Sequence, residues 1–276
     1  DYTTVQAALD ANTSGGELFL VGPGTYTDDT INFTANNQTV RGVGITPNQI
    51  VTTADATVCN FGAYIDCRIE NMNLQLTNPT TAKDLITGSG SLGLRWCHLT
   101  VTVTNNIATA TQPSAMNVTG EVTMRFGTIT YNNSGAEATA IKTPILLGAS
   151  ADIELREATI DVDGSNAAAA TVLSYGVGTG QINVERCNIT VDDTDATWVV
   201  GFAYVTGSGS YEMRYNSIHV TGAANLAYGL YLTTGTTLSI RSMFNHMHVL
   251  SPGGGTARSF HIGANVTLIS QIDDIV

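Results

Sequence analysis

Apolar and polar residues alternate along most of this chain, and the alternation restarts at near-constant intervals. In LGLRWCHLTVTV (92–103), Leu92 and Leu94 precede Arg95, and Leu99, Val101 and Val103 follow it at every second position. Strict period-two alternation marks strands with one buried face. The unit recurs as QTVRGVGI around Arg41, IDCRIENMNL around Arg68, VTMRFGTITY around Arg125 and IELREATIDV around Arg156. Further copies are YEMRYNSIHV around Arg214 and LSIRSMFNHMHV around Arg241, while INVERCNITV places Glu185 in the slot and moves its arginine to Arg186. VTLISQIDDIV falls where a ninth, degenerate copy belongs. By subtraction, successive slots lie 27, 27, 30, 31, 29, 29 and 27 residues apart. Self-similarity at such a period is the signature of a solenoid.

Within a copy the alternation breaks two to three residues after the slot, at Asn71, His98, Thr128, Thr159, Asn188 and Ser217. Short polar side chains suit a tight corner. Each repeat therefore predicts two strands joined by a bend, then a variable stretch with room for a third. Coils stacked ~4.8 Å apart with the right-handed crossovers of parallel connections form an all-β, right-handed parallel β-helix. The copies predict about nine coils of 27–31 residues in one domain, 1–276. Stretches 105–120 and 191–209 are expected as loops plus the third strand. Residues 1–14 predict a short capping helix, with Thr3 as N-cap and Gln6 completing a capping box. Val5, Ala8 and Leu9 make its apolar stripe, which would plug the open end of coils occupying 15–276.

The opening DYTTVQAALDA, followed by GGELFLVGPGTYTDDTINFTANNQTVRGVG, resembles the start of the pectin lyase-like superfamily, most closely its pectinesterase-type members. The resemblance implies a cap helix, a strand, a P-G-x-Y turn and a G-x-G turn leading into a right-handed parallel β-helix. It covers roughly the first 45 residues by motif and the remainder by repeat architecture. Pectinesterases use two aspartates, helper glutamines and an arginine within an LGRPW segment. LGLRWC is similar only superficially, since it is one coil among many and no DFIFG-like segment exists. No catalytic residue is carried over. Polysaccharide lyases of the superfamily require an acidic calcium cluster and a basic residue, which directs the search to the outward face.

Composition narrows the partners. With 276 residues and 43% hydrophobic content, the chain can bury one sizeable core. A net charge of −12 and only two lysines, Lys83 and Lys142, weigh against nucleic acid or an anionic membrane as partner. No apolar run approaches the ~18 residues of a membrane span. The first residue is Asp1, as expected of a mature or trimmed product. Cys59, Cys67, Cys97 and Cys187 show no CxxC spacing and read as small buried free thiols. Cys97 and Cys187 share a corner position with Gly127 and Ala158, and Cys67 an inward position with Leu94, Met124 and Leu155. No cofactor is expected.

Candidate chemistry lies on the outward positions. Arg68, Arg95, Arg125, Arg156, Arg214 and Arg241, together with Arg41, fall in one slot per coil, and stacked like charges need compensation. Asp66, Glu154 and Glu212 stand two residues upstream, so the column reads either as a mixed-charge ladder or as a docking stripe for a partner subunit or an anionic glycan. Beyond the bend, one outward column holds Asn73, Thr100, Thr130, Asp161, Thr190, His219 and His248; the next holds Gln75, Thr102, Asn132, Asp163, Asp192 and Thr221. Asp161, Asp163 and Asp192 are the carboxylates available for acid–base or glycosidase chemistry. His219, His246 and His248 are the imidazoles available to a transition metal. Each group also reads as ordinary solvated surface. Two functions remain open. One is a non-catalytic structural or recognition module at a virion or cell surface: a phage fibre, spike, decoration protein or adhesin, working as a homotrimer in a larger assembly. The other is a carbohydrate-active lyase, glycoside hydrolase or esterase, with a cleft built by 105–120 and 191–209 over Asp163 and Asp192.

Overall fold

The computed structural model describes residues 2–44, 48–53, 55–107, 112–135, 141–148, 150–165, 170–193, 195–222, 226–232, 237–262, 266–271 and 274–275. They form an all-β parallel solenoid of the right-handed type. Sheet A holds the segments that end at the arginine slot, such as Ser91–Arg95, Glu121–Arg125 and Asp152–Arg156. Sheet B holds those after the bend, such as His98–Val103 and Thr128–Asn133, in a ladder of ten strands. Sheet C stacks the third strands, including Met116–Val118 and Ile145–Leu147, and Trp198–Arg214 runs on from sheet C into sheet A. The stretch 191–209, expected as loop plus the third strand, is largely strand. The solenoid makes about seven turns against the nine expected. The outermost rungs of sheet B are strands of three and two residues, Thr25–Thr27 and Asp274–Ile275, which lengthen the ladder without adding much coil.

Inward positions carry the core. Leu92 and Leu94 are 2% exposed and Leu99, Val101 and Val103 are fully buried. Burying such a side chain stabilises by roughly 1.5–3 kcal/mol, and every rung stacks on another of the same pattern, as Leu94 on Met124 on Leu155. At the N-terminal end, Val5–Asp10 is helical and adds Val5 and Leu9 to this core, with Ala8 half-buried. The N-cap is Thr4 rather than Thr3: its Oγ accepts from the Ala7 N–H at 3.1 Å. With Gln6 one position too early for a capping box, its Oε1 instead accepts from the Asn32 N–H at 2.6 Å and its Nε2 donates to the Asn32 carbonyl at 3.2 Å. The side chain thus ties the helix to the first coil.

The ladder corrects the alignment of two copies. Arg41 pairs with Glu70 and Glu70 with Arg95, whereas Arg68 pairs with Thr39 and Gly93. Arg214 pairs with Met243, and Arg241 with Glu212. Arg68 and Arg241 therefore stand two residues upstream of the slot, in a column with Gly93, Thr123, Glu154, Asn183 and Glu212. Cys67 likewise pairs with Leu92 rather than Leu94, though it is inward as expected. Register follows the buried apolar set, so an exposed arginine is a poor landmark.

The corner itself comes earlier than expected. The residue immediately after the slot adopts a left-handed conformation on seven rungs: Asn71, Trp96, Phe126, Glu157, Arg186, Tyr215 and Phe244, with φ between 51° and 56°. His98, Thr128, Asn188 and Ser217 already begin the strands of sheet B.

Candidate functional site

The left-handed corner turns one side chain per rung outward, along the edge between sheets A and B. Glycine or asparagine suits that backbone, because a larger side chain crowds the peptide. Four rungs instead carry large aromatic rings, and these are exposed: Trp96 48%, Phe126 44%, Tyr215 52% and Phe244 39%. Trp96 and Phe126 stack with centroids 6.1 Å apart, and Tyr215 and Phe244 stack at 5.2 Å with planes 3° apart. Holding a bulky residue in this region costs of order 1–3 kcal/mol, and an aromatic pair returns about 0.5–1.5 kcal/mol. Stability alone does not favour these residues over glycine. Beneath the ridge the next residue is buried: Cys97, Gly127, Ala158, Cys187, Asn216 and Asn245. At Gly127 a Cβ would lie 2.6 Å from the Cys97 carbonyl oxygen, so only glycine fits.

The slot arginines flank this ridge on sheet A. Most are neutralised by neighbours: Arg41 by Glu70 at 2.6 Å, Arg156 by Glu154 and by Glu185 at 3.8 Å, and Arg214 by Glu212. Arg241 reaches Glu212 at 3.4 Å, while Arg186 reaches Glu185 at 3.4 Å and Glu157 at 3.7 Å. Much of the column is thus the mixed-charge ladder. The exception is the stretch around Trp96. Arg68 and Arg95 have no ion-pair partner among the described residues, and Arg125 shares Glu154 with Arg156, at 3.6 Å. The Arg95 guanidinium sits 4.0 Å from the Trp96 ring centre, a cation–π contact. A local excess of arginine therefore lies beside a stacked aromatic pair on a chain of charge −12.

On sheet B the expected columns hold from His98 onward, while Asn73 and Gln75 shift by one step, to pair with His98 and Thr100. Asp161 lies between Thr130 and Thr190, and Asp163 pairs directly with Asp192, all outward and exposed. Partial burial pushes the Asp192 carboxyl above its usual range, reinforced by the charge of Asp163 and opposed by His219. His219 pairs with His248, and their Nδ1 atoms are 3.2 Å apart; His246 follows the same face two residues upstream of His248. No group of three or more metal-ligating side chains converges among the described residues. Residues 108–111 and 194, within the expected cleft-forming stretches, lie outside the described residues.

Two further features escaped the alternation pattern. Lys142 is fully buried, its Nζ donating to the Ser165 carbonyl at 2.7 Å and the Asn133 carbonyl at 3.0 Å. Burial lowers its pKa, opposed first by the charge of Asp193, itself an inward residue bonded by Thr171 Oγ1 at 2.6 Å. The aromatic ridge had a partly legible signal: in three copies the residue after the slot arginine is Trp96, Phe126 or Tyr215, out of phase with the buried positions, and Phe244 joins them only once the ladder moves the slot to Met243. The four cysteines are free and buried, and burial raises each thiol pKa, which leaves them inert as nucleophiles. No helix among the described residues is long and apolar enough to cross a membrane.

No protein-family model, curated protein or solved structure matches this chain. The parallel β-solenoid architecture is shown by the structure itself.

Proposed function

We propose that this chain is a non-catalytic recognition rod, of the kind that serves as a virion fibre, spike or decoration protein or as a cell-surface adhesin. In this reading it works as a homo-oligomer, a trimer, within a larger assembly outside the cell. Its binding edge is the ridge at Trp96 and Phe126 with Arg68, Arg95 and Arg125, and its ligand is an anionic glycan. The observation that carries the reading is the uncompensated arginine beside strained, exposed aromatic rings. A flat ring presents an apolar face to a sugar, and a guanidinium fork suits a carboxylate. The low lysine content agrees with such a role. The test is binding to polygalacturonate, with neutral dextran as control, at increasing salt. Binding that weakens with salt and disappears in Arg68→Gln/Arg95→Gln/Arg125→Gln is expected. An unchanged affinity in that variant overturns the assignment of the edge. Loss of self-association without any glycan binding would transfer the edge to a partner subunit.

The second reading, a carbohydrate-active enzyme, rests on one observation: Asp163 and Asp192 are ladder neighbours and Asp192 has a raised pKa. Paired carboxylates can divide acid and nucleophile roles. Release of reducing ends from polygalacturonate, abolished in Asp163→Asn and Asp192→Asn, would establish it over the first.

A further inference from the structure

We propose that His219 and His248 form a two-histidine site for a late first-row divalent ion, on the outward face of sheet B and independent of the arginine edge. The two residues are register partners in the strands Ser217–Gly222 and His246–Leu250. Their Nδ1 atoms lie 3.2 Å apart, with ring centroids at 4.7 Å and planes inclined at 75°. Each ring thus turns the same nitrogen toward a common point. An ion bonded to both at about 2.0–2.1 Å would subtend roughly 100° at that separation, between the tetrahedral and octahedral values.

The rings do not need to be gathered for this. Each histidine is flanked along its strand by inward residues locked in the core: Ile218 and Val220 beside His219, Met247 and Val249 beside His248. The parallel ladder sets their spacing before any ion arrives, so little ordering cost falls on binding. Without an ion, one Nδ1 donates its hydrogen to the other. On binding, that hydrogen shifts to the outward Nε2 and both Nδ1 lone pairs face the metal. Asp192, one rung before His219 and electrostatically coupled to it, adds negative charge to the neighbourhood. With no third ligating side chain converging among the described residues, water completes the coordination. Neutral imidazole pairs of this type favour Cu²⁺, Ni²⁺ and Zn²⁺ over Ca²⁺ or Mg²⁺.

The test is titration of Cu²⁺ into the chelator-washed full chain, read by calorimetry and by electron paramagnetic resonance. One ion per chain with two nitrogen donors is expected. Supporting groups around metal ligands are worth about 10–100-fold in affinity, so His219→Ala and His248→Ala should each weaken binding by at least about tenfold. His246→Ala should leave it unchanged. Thermal melts in chelator, equal for wild type and variants, separate ligand loss from misfolding. Undiminished affinity in either single variant, a one-nitrogen spectrum, or dependence on His246 in place of His219 overturns the site.

Discussion

The two ends of the corner ridge share one backbone solution and a stacked aromatic pair, and differ in the charges beside them and the residues beneath. Trp96/Phe126 and Tyr215/Phe244 occupy the same left-handed rungs and stack in the same way. At the first end, Arg68 and Arg95 lack carboxylate partners among the described residues and Arg95 lies over Trp96. At the second, Glu212 serves both Arg214 and Arg241, and Glu185 serves Arg186. Beneath the first end lie Cys97 and Gly127, and beneath the second an amide ladder: Asn216 Nδ2 donates to Asn245 Oδ1 at 2.9 Å. The contrast teaches that a repeated geometry does not make a repeated site. A surface recognises an ion where its own charges are left uncompensated, and one where they are paired internally is a strut.

The largest effect should break the second end as a structure. Asn216→Ala removes the acceptor of the Cys187 N–H, at 2.8 Å, and the donor to the Val184 carbonyl, at 2.9 Å. A buried group left unpaired costs about 1–3 kcal/mol, to be read by chemical denaturation. Cys97→Ala at the equivalent corner should cost about 1 kcal/mol or less, the value of a small apolar group. Next, Arg68→Gln/Arg95→Gln should lower polygalacturonate affinity by about tenfold or more, ~1.4 kcal/mol. Arg214→Gln/Arg241→Gln should leave it nearly unchanged in the same assay.

Glu154→Gln should sharpen the difference further, because it frees Arg125, leaves Arg156 with Glu185 alone and lengthens the uncompensated stretch. Tighter binding with a steeper salt dependence is expected, and weaker binding would mean that Glu154 positions the arginines. Trp96→Gly and Tyr215→Gly should both preserve or raise the melting temperature, since glycine relieves the left-handed corner. Only Trp96→Gly should lose the glycan. The smallest effect lies off the ridge, at Asp192. Its folded pKa is raised above the usual 3.8, so its ionised form is disfavoured in the folded chain. Its contribution is fully present below pH 3.8 and is lost as pH rises through the folded value. Asp192→Asn should therefore raise the melting temperature at pH 7, and the gain should vanish below pH 3.8.

Much of the fold was legible because burial is periodic. Leu92, Leu94, Leu99, Val101 and Val103 announce two one-sided strands, and Asp163 beside Asp192 and His219 beside His248 followed from counting along them. Arg68 and Arg241 were misplaced by two residues because alignment on an exposed arginine ignores the pattern that sets register. The N-cap slipped from Thr3 to Thr4 for a similar reason, since either threonine can cap and packing of Val5 and Leu9 decides which one does. The aromatics of the ridge were visible as Trp96, Phe126 and Tyr215 after the slot arginines, but that they line one edge was not, because a left-handed residue stands outside both alternations that flank it.

By itself, the sequence determined the architecture: a period near 29 residues with alternating apolar positions has no stable burial except stacked parallel coils. It also determined which side chains face outward over most of sheet B. Only the tertiary structure decided which charges remain unpaired. Several of the ion pairs join residues of successive rungs, such as Arg125 with Glu154 and Arg241 with Glu212, across 29 positions of chain. A two-residue shift in register exchanges partners across the whole face without altering the core, so composition and spacing could not distinguish a neutral ladder from an arginine edge.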